Sequence, residues 1–256
     1  MARALGIIPA RYGSSRFPGK PLASLNGKPL LQHVYERSRR AGRLFDVWVA
    51  TDDKRIFETV TGFGGRALMT SAEHVSGSDR VAEVAAHPEA SGAEIIVNIQ
   101  GDQPLIDPEA LDALVTALDS DPSLDMATLY EPLGSLEDLS DPNVAKVVAD
   151  RRGDALYFSR SPIPHSWDGS RGSGAPGPEG LRAYRKHVGV YAFRKQFLLE
   201  FNRLERGPLE QLEGLEQLRV LEAGRRIRLV PCSGCSVSVE TPGDLRRVEA
   251  IMSSRT

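Results

Sequence analysis

The chain has 256 residues, 41% of them hydrophobic, enough for one sizeable core or one core with a lobe. A formal net charge of -2 gives no global basic footprint for nucleic acid, and no run of about 18 apolar residues offers a transmembrane helix. Cys232 and Cys235 are the only cysteines, so no disulfide framework is indicated, and with no secretory signal at the start the expected compartment is the reducing cytoplasm.

In chain order, the first half alternates short apolar strands with helices. Leu5 to Ile8 is a strand. It breaks into a loop holding Gly13, Pro18, Gly19 and Pro21, none of which suits a helix interior. A helix is predicted from about Pro29 to Ala41, with Leu30, Leu31, Val34 and Tyr35 on its apolar face and Gly42 as its stop. Asp46 to Thr51 is the next strand, Asp53 to Thr61 a helix, and Ala67 to Met69 a short strand. A helix from about Ser78 to Ala86 precedes the strand Glu94 to Ile99. The following helix opens with Asp107 as N-cap and Pro108 in its first turn, placing Leu111, Leu114, Val115 and Leu118 on one face. Nearly all-apolar strands separated by helices predict an α/β fold: a mostly parallel sheet with helices on both faces.

The second half reads differently. DMATLY, VAKVVAD and ALYF are strand-like in quick succession, with Arg152-Gly153 as a turn, which predicts a smaller mixed or antiparallel lobe. The loop from Ser159 to Gly180 is rich in Gly, Pro and Ser and too long for a plain connector, so it is either mobile or functional. HVGVYAF returns as a strand. One helix is predicted from about Pro208 to Ala223, carrying Leu209, Leu212, Leu215, Leu218 and Leu221. A spacing of three drifts roughly 60° per step, so these leucines wrap the helix, inside the lobe or at a subunit interface. The last helix has Thr241 as N-cap, Pro242 at N1 and Asp244 at N3, resembling a capping box. The expected organisation is one domain: about 1–122 a first half, about 123–223 a smaller lobe, and about 224–256 a return to the main sheet.

Three cations, Arg11, Arg16 and Lys20, lie along the first loop, and from Met1 to Tyr35 there are five Arg or Lys and no Asp or Glu. A Gly-containing cationic loop leaving a strand suits a polyphosphate, since backbone N–H groups can approach its oxygens and the charge neutralises them. The alternative is a solvated surface loop. A P-loop is excluded: five residues, not four, separate Gly13 from Gly19, and Pro21 follows Lys20 where Ser or Thr is required. The G-x-G-x-x-G dinucleotide fingerprint is absent as well.

Ligands of open α/β sheets bind beyond the carboxyl ends of the strands. Besides the cationic loop, Asp52-Asp53 and Gln100-Gly101-Asp102 fall there. Asp53 reads best as a helix N-cap. Asp102 is either a turn residue before Pro104 or a ligand for Mg²⁺, an ion usually held by one or two carboxylates plus substrate phosphates. His33, His74, His87 and His165 form no metal-ligand spacing. Cys232 and Cys235 make a C-x-x-C that lacks the second pair zinc wants and the thioredoxin-like context a redox role wants, and it reads as incidental.

The string PARYGSSRFPGKPL closely resembles the N-terminal signature of the 3-deoxy-D-manno-octulosonate (Kdo) cytidylyltransferases. ATDD from Ala50, SGSDRVAEV from Ser76, VNIQGDQPLI from Val97, ALYFSR from Ala155, HVGVYAFR from His187, LEQLRVL from Leu215 and VETPGDL from Val239 follow in the family's order at similar spacings, over nearly the whole chain. The resemblance implies a Rossmann-like nucleotidyltransferase fold and the reaction CTP + Kdo → CMP-Kdo + diphosphate, used in lipopolysaccharide biosynthesis. It also implies a magnesium cofactor, a homodimer, a nucleotide-binding role for the half over about 1–122, and a sugar-binding and dimerisation role for the lobe over about 123–223.

The resemblance further implies that Pro9, Ala10, Arg11, Arg16, Lys20, Arg80, Gln100 and Asp102 bind CTP, with Arg80 helping to read cytosine. Arg11, Arg16, Lys20 and Asp102 are expected to be catalytic. Gln100, Arg160, His187, Tyr191, Glu216 and Gln217 fall on Kdo-contacting positions. Asp102 inherits a magnesium-ligand role, and the second ligand position, an Asp in the family, is Glu240 here. Glu is one methylene longer than Asp, while Mg²⁺ demands near-ideal octahedral geometry. Gln103 also replaces the family's usual acidic residue and removes one charge beside the metal. Two alternatives stay open: a cytidylyltransferase for a related acid sugar such as 8-amino Kdo or a sialic acid, and a nucleotide-binding protein without turnover.

Overall fold

The computed structural model describes residues 2–13, 16–166, 178–235 and 237–254. In chain order its strands are β1 (Ala4–Ala10), β2 (Ser24–Leu25), β3 (Lys28–Pro29), β4 (Leu44–Thr51), β5 (Arg66–Met69), β6 (Ile95–Asn98), β7 (Met126–Pro132), β8 (Lys146–Ala149), β9 (Ala155–Ser159), β10 (Arg185–Arg194) and β11 (Ile227–Pro231). The helices are α1 (Leu30–Ser38), α2 (Lys54–Gly62), α3 (Gly77–Ala86), α4 (Pro108–Ser120), α5 (Leu136–Ser140), α6 (Pro178–Leu181), α7 (Lys195–Phe201), α8 (Pro208–Glu213), α9 (Leu218–Glu222) and α10 (Pro242–Ser253).

The main sheet runs β11-β7-β10-β6-β1-β4-β5. β6, β1, β4 and β5 are parallel, as continuous apolar strands joined by helices require. β10 is antiparallel to both β6 and β7, and β8 and β9 extend it as an antiparallel flap. β11 returns parallel to β7, so the end of the chain rejoins the main sheet. β1 lies between β6 and β4, and its side chains alternate between two cores. Ala4, Ile8 and Ala10 join Leu31, Val34, Leu111, Leu114 and Val115 on the α1–α4 face. Leu5 and Ile7 join Val81, Val84, Leu198 and Phe201 on the α3–α7 face. Complete burial of Leu5, Ile7 and Ile8 removes roughly 1.5–3 kcal/mol of apolar exposure each, which anchors the strand that feeds the cationic loop.

Local signals set most of the boundaries. Asp53 caps α2 by accepting from the Arg55 N–H at 2.9 Å, and Asp107 caps α4 from the Glu109 N–H. Thr241 and Asp244 form the reciprocal capping box of α10. Ser76 and Asp79 form an equivalent box on α3, a signal present in SGSD and missed in the sequence reading. α1 stops at Ser38 rather than running to Ala41, because Arg40 and Ala41 turn back onto the carbonyls of Arg37 and Ser38 in tighter three-residue steps.

The predicted single helix from Pro208 to Ala223 is a correction: it is two short helices, α8 and α9. Gly214 sits at φ 62°, a left-handed conformation that ends α8 and reverses the chain. The reversal brings Glu210 of α8 onto Arg219 of α9 through two bonds of 2.6 Å, both side chains nearly buried. The leucines are therefore not equivalent: Leu218 is fully buried, whereas Leu212 is 83% exposed. Of the loop from Ser159 to Gly180, residues 167–177 lie outside the described residues.

Candidate active site

All eight residues expected to contact the nucleotide line one cavity of about 340 Å³ at the carboxyl ends of β1 and β6: Pro9, Ala10, Arg11, Arg16, Lys20, Arg80, Gln100 and Asp102. The residue types explain the shape. β1 ends in Pro9-Ala10, and Gly101 lets the turn after β6 come close, since a Cβ there would meet the Pro9 carbonyl at 3.1 Å. The Lys20 ammonium donates to the Asp102 carboxylate at 2.7 Å, with 18% and 27% of the two side chains exposed. Arg16 is paired with Glu240 at the outer edge. Two cations of the loop thus neutralise the two carboxylates proposed for magnesium. Glu240 is held near Asp102 by the backbone, because the Val239 N–H donates to the Asp102 carbonyl at 2.8 Å.

Arg80 is not a surface charge. It is 3% exposed, and its guanidinium donates to Asp52 Oδ2 at 3.0 Å, to the Ser71 carbonyl at 3.3 Å and to the Thr70 hydroxyl. Asp52, one of the carboxylates beyond the strands, therefore buttresses Arg80 rather than facing the loop, while Asp53 is spent on capping α2 and on Arg55. That pairing spans 28 positions and carries no local signal.

A second cavity of about 500 Å³ adjoins the first; Arg16 lines both. His187, Tyr191, Gln217 and Glu240 line it. Gln100 connects the two, donating its amide to the Gly189 carbonyl at 2.7 Å. A chain of hydrogen bonds runs along the wall. The Tyr191 hydroxyl is 3.3 Å from Gln217 Oε1, Gln217 Nε2 is 3.4 Å from His187 Nδ1, and His187 Nε2 is 2.9 Å from the Thr128 hydroxyl. Thr128 has a single hydroxyl proton, and the Val190 carbonyl at 2.9 Å receives it. His187 must then donate from Nε2 and accept at Nδ1, so every donor in the chain points the same way. Burial pushes the His187 pKa down to about 3, which keeps the ring neutral. Burial likewise raises Tyr191 well above the usual phenol range, with the nearby Glu216 carboxylate adding to the effect.

Glu216, expected to contact the sugar, lines neither cavity. Its carboxylate accepts from the Ser78 hydroxyl at 2.7 Å, and burial raises its pKa. Arg160 lines neither cavity. Its guanidinium donates to the carbonyls of Glu213, Pro142 and Gly214, so it fastens the β9 flap to the end of α8. Gln103 is 6% exposed and lines the second cavity with Glu240, and its Oε1 has no partner among the described residues. Lys146, missed in the sequence reading, is fully buried and donates to the carbonyls of Asp141, Val144 and Arg160, tying the same flap together.

Two adjoining polar cavities at a strand-end crevice, one holding the cationic loop and one with a file of neutral donors and acceptors set among charged side chains such as Lys186 and Arg247, suit a nucleotide and a polyhydroxylated acid. The Cytidylyltransferase family matches residues 5–227. The chain belongs to the 3-deoxy-manno-octulosonate cytidylyltransferase family. It is 52% identical over 244 residues to the enzyme of that name from Syntrophotalea carbinolica, covering 95% of this chain and 96% of the relative. It is 53% identical over 250 residues to the one from Syntrophobacter fumaroxidans, covering 98% and 97%. Among solved structures, a CMP:2-keto-3-deoxy-manno-octonic acid synthetase complexed with CTP superposes with a TM-score of 0.90 at 43% identity, each chain covered in full. No helix among the described residues is long and apolar enough to cross a membrane.

Proposed function

We propose that the protein transfers CMP from CTP to 3-deoxy-manno-octulosonate with release of diphosphate, supplying an activated sugar for lipopolysaccharide assembly. The observation that carries this reading is the union of all eight expected nucleotide residues in one cavity, next to a second cavity walled by His187, Gln217 and Tyr191. Arg11, Arg16 and Lys20 would receive the triphosphate and stabilise charge on the departing diphosphate. Arg80, fixed by Asp52, would present donors to the cytosine edge. The neutral Tyr191–Gln217–His187 chain would orient the sugar hydroxyls, so that the anomeric oxygen approaches the α-phosphate in line with the leaving diphosphate.

Asp102 and Glu240 fit a magnesium ion by donor chemistry: both are hard oxygen ligands, adjacent, and each is paired with a cation that a triphosphate would draw away. An exposed ion pair such as Arg16–Glu240 is worth only about 0–1 kcal/mol, so exchanging it for phosphate contacts costs little. When bound, the ion would neutralise phosphate charge and acidify the attacking hydroxyl. Leu156 and Leu212, 62% and 83% exposed, support a homodimer through the β9–α8 side, which a dimeric mass by light scattering would bear out and a monomeric one would refute.

The test is diphosphate release with CTP, Mg²⁺ and a panel of Kdo, 8-amino Kdo, sialic acid and no sugar. Release with Kdo is the expected result. Release only with another sugar would change the substrate and keep the mechanism. CTP binding without release in any arm would overturn the catalytic reading.

A further inference from the structure

Read locally, the C-x-x-C of Cys232 and Cys235 lacks the ligands a metal needs. The fold supplies a third from β7. β11 runs parallel beside that strand, with Pro231 opposite Tyr130, so the residues that follow lie against Glu131. The two sulfurs and a Glu131 carboxylate oxygen all lie within 4.8 Å of one another. All three side chains are buried: Glu131 and Cys232 are 9% exposed and Cys235 is 1%. Glu131 Oε1 accepts from the Cys235 N–H and sits 3.9 Å from Cys232 Sγ. Those are its side-chain partners among the described residues, and no Lys or Arg among those residues pairs with it. Asp107 adds further negative potential at both thiols. A buried carboxylate facing two thiols without a cation is an expensive arrangement unless a cation joins it.

We infer that Glu131, Cys232 and Cys235 form a site for a thiophilic divalent cation of the zinc class, with its fourth position open to the groove bounded by Leu133, Gly134, Leu181 and Arg182. That groove has a volume of about 470 Å³, ample for a water as fourth ligand. Around tetrahedral zinc, with bonds of about 2.3 Å to sulfur, the two sulfurs stand about 3.8 Å apart, so side-chain rotation alone closes the site. Gly234, at φ 71°, turns the loop between the cysteines. Binding releases the two thiol protons to solvent.

The position gives the site a consequence. The same connection continues through Val239, whose N–H is fixed to the Asp102 carbonyl, to Glu240. A cation at the cysteines would pin the start of this connection to β7, and the Asp102 contact pins its end. The site therefore acts as a staple for the segment that presents Glu240.

The test uses the full-length protein incubated with zinc in excess Mg²⁺, then gel-filtered and analysed for metal. About one equivalent of zinc is expected. Co²⁺ in its place should give a thiolate-to-metal charge-transfer band that Cys232→Ser/Cys235→Ser abolishes. Glu131→Gln should keep the band and weaken binding at least about tenfold. Should the double variant fail to fold, thiol titration of the unmodified protein decides: zinc should slow the reaction of both cysteines and a chelator should restore it. Equal thiol reactivity with and without zinc, a Cys232–Cys235 disulfide that takes up no metal, or a Co²⁺ spectrum without thiolate bands would each overturn the site.

Discussion

The two cavities are held open by opposite means. Around the first cavity, the charges of the cationic loop are exposed or half-exposed and paired across short, replaceable contacts, Lys20 with Asp102 and Arg16 with Glu240. Along one wall of the second cavity runs a largely buried file of neutral groups from Tyr191 to Thr128, each with its proton already assigned. The first arrangement can be rearranged by a polyanion at little cost, because the resting ion pairs are individually weak. The second cannot be rearranged cheaply, because any broken link strands a polar atom in a low-dielectric setting. A mobile, charged ligand is thus met by a yielding surface, and the ligand that must be distinguished by its hydroxyls is met by a rigid one.

That contrast can be broken at three points. The largest effect is expected at Asp102, where Ala removes the carboxylate that Lys20 rests on: kcat should fall more than about 100-fold with Mg²⁺ saturating. Steady-state rates near those of the unmodified enzyme would detach Asp102 from the chemistry. Next, Thr128→Val leaves the His187 Nε2–H without its acceptor, a loss of roughly 1–3 kcal/mol in denaturant unfolding. KM for the sugar should rise while KM for CTP holds. In the unmodified protein, the depressed His187 pKa means that only the unfolded chain takes up that proton between about pH 6.5 and 3. The contribution of His187 to stability is therefore complete above pH 6.5 and declines as the pH falls. Nitrogen NMR at pH 5 should find the ring neutral and protonated at Nε2; an imidazolium signal would contradict the chain. The smallest effect belongs to Asp52→Asn, which removes the charge behind Arg80. KM for CTP should rise several-fold, about 1 kcal/mol, with kcat and sugar KM unchanged; a change confined to the sugar would misassign Arg80.

Legibility in the sequence followed the range of the interactions. Asp53, Asp107 and the Thr241–Asp244 box act within three residues, and each was readable as written. The cationic loop was readable as a candidate phosphate site because Arg11, Arg16 and Lys20 fall in one stretch of sequence. The helix predicted over residues 208–223 failed because apolar spacing cannot weigh a left-handed glycine against the Glu210–Arg219 pair that the reversal creates. Arg160 was expected from the family resemblance to contact the sugar, yet its guanidinium donates to three carbonyls, a fact set by where α8 ends. Asp52 behind Arg80, and Glu131 beside a cysteine pair some hundred positions away, are products of sheet order, which local pattern does not encode.

The central claim is that the two cavities bring sugar and nucleotide together for direct transfer at the α-phosphate. The measurement that tests it most directly is the stereochemical course with CTP carrying a single sulfur at the α-phosphorus. One in-line displacement predicts inversion in the sugar nucleotide formed with Kdo. Retention would require a covalent nucleotidyl-enzyme and two displacements, and would contradict the account.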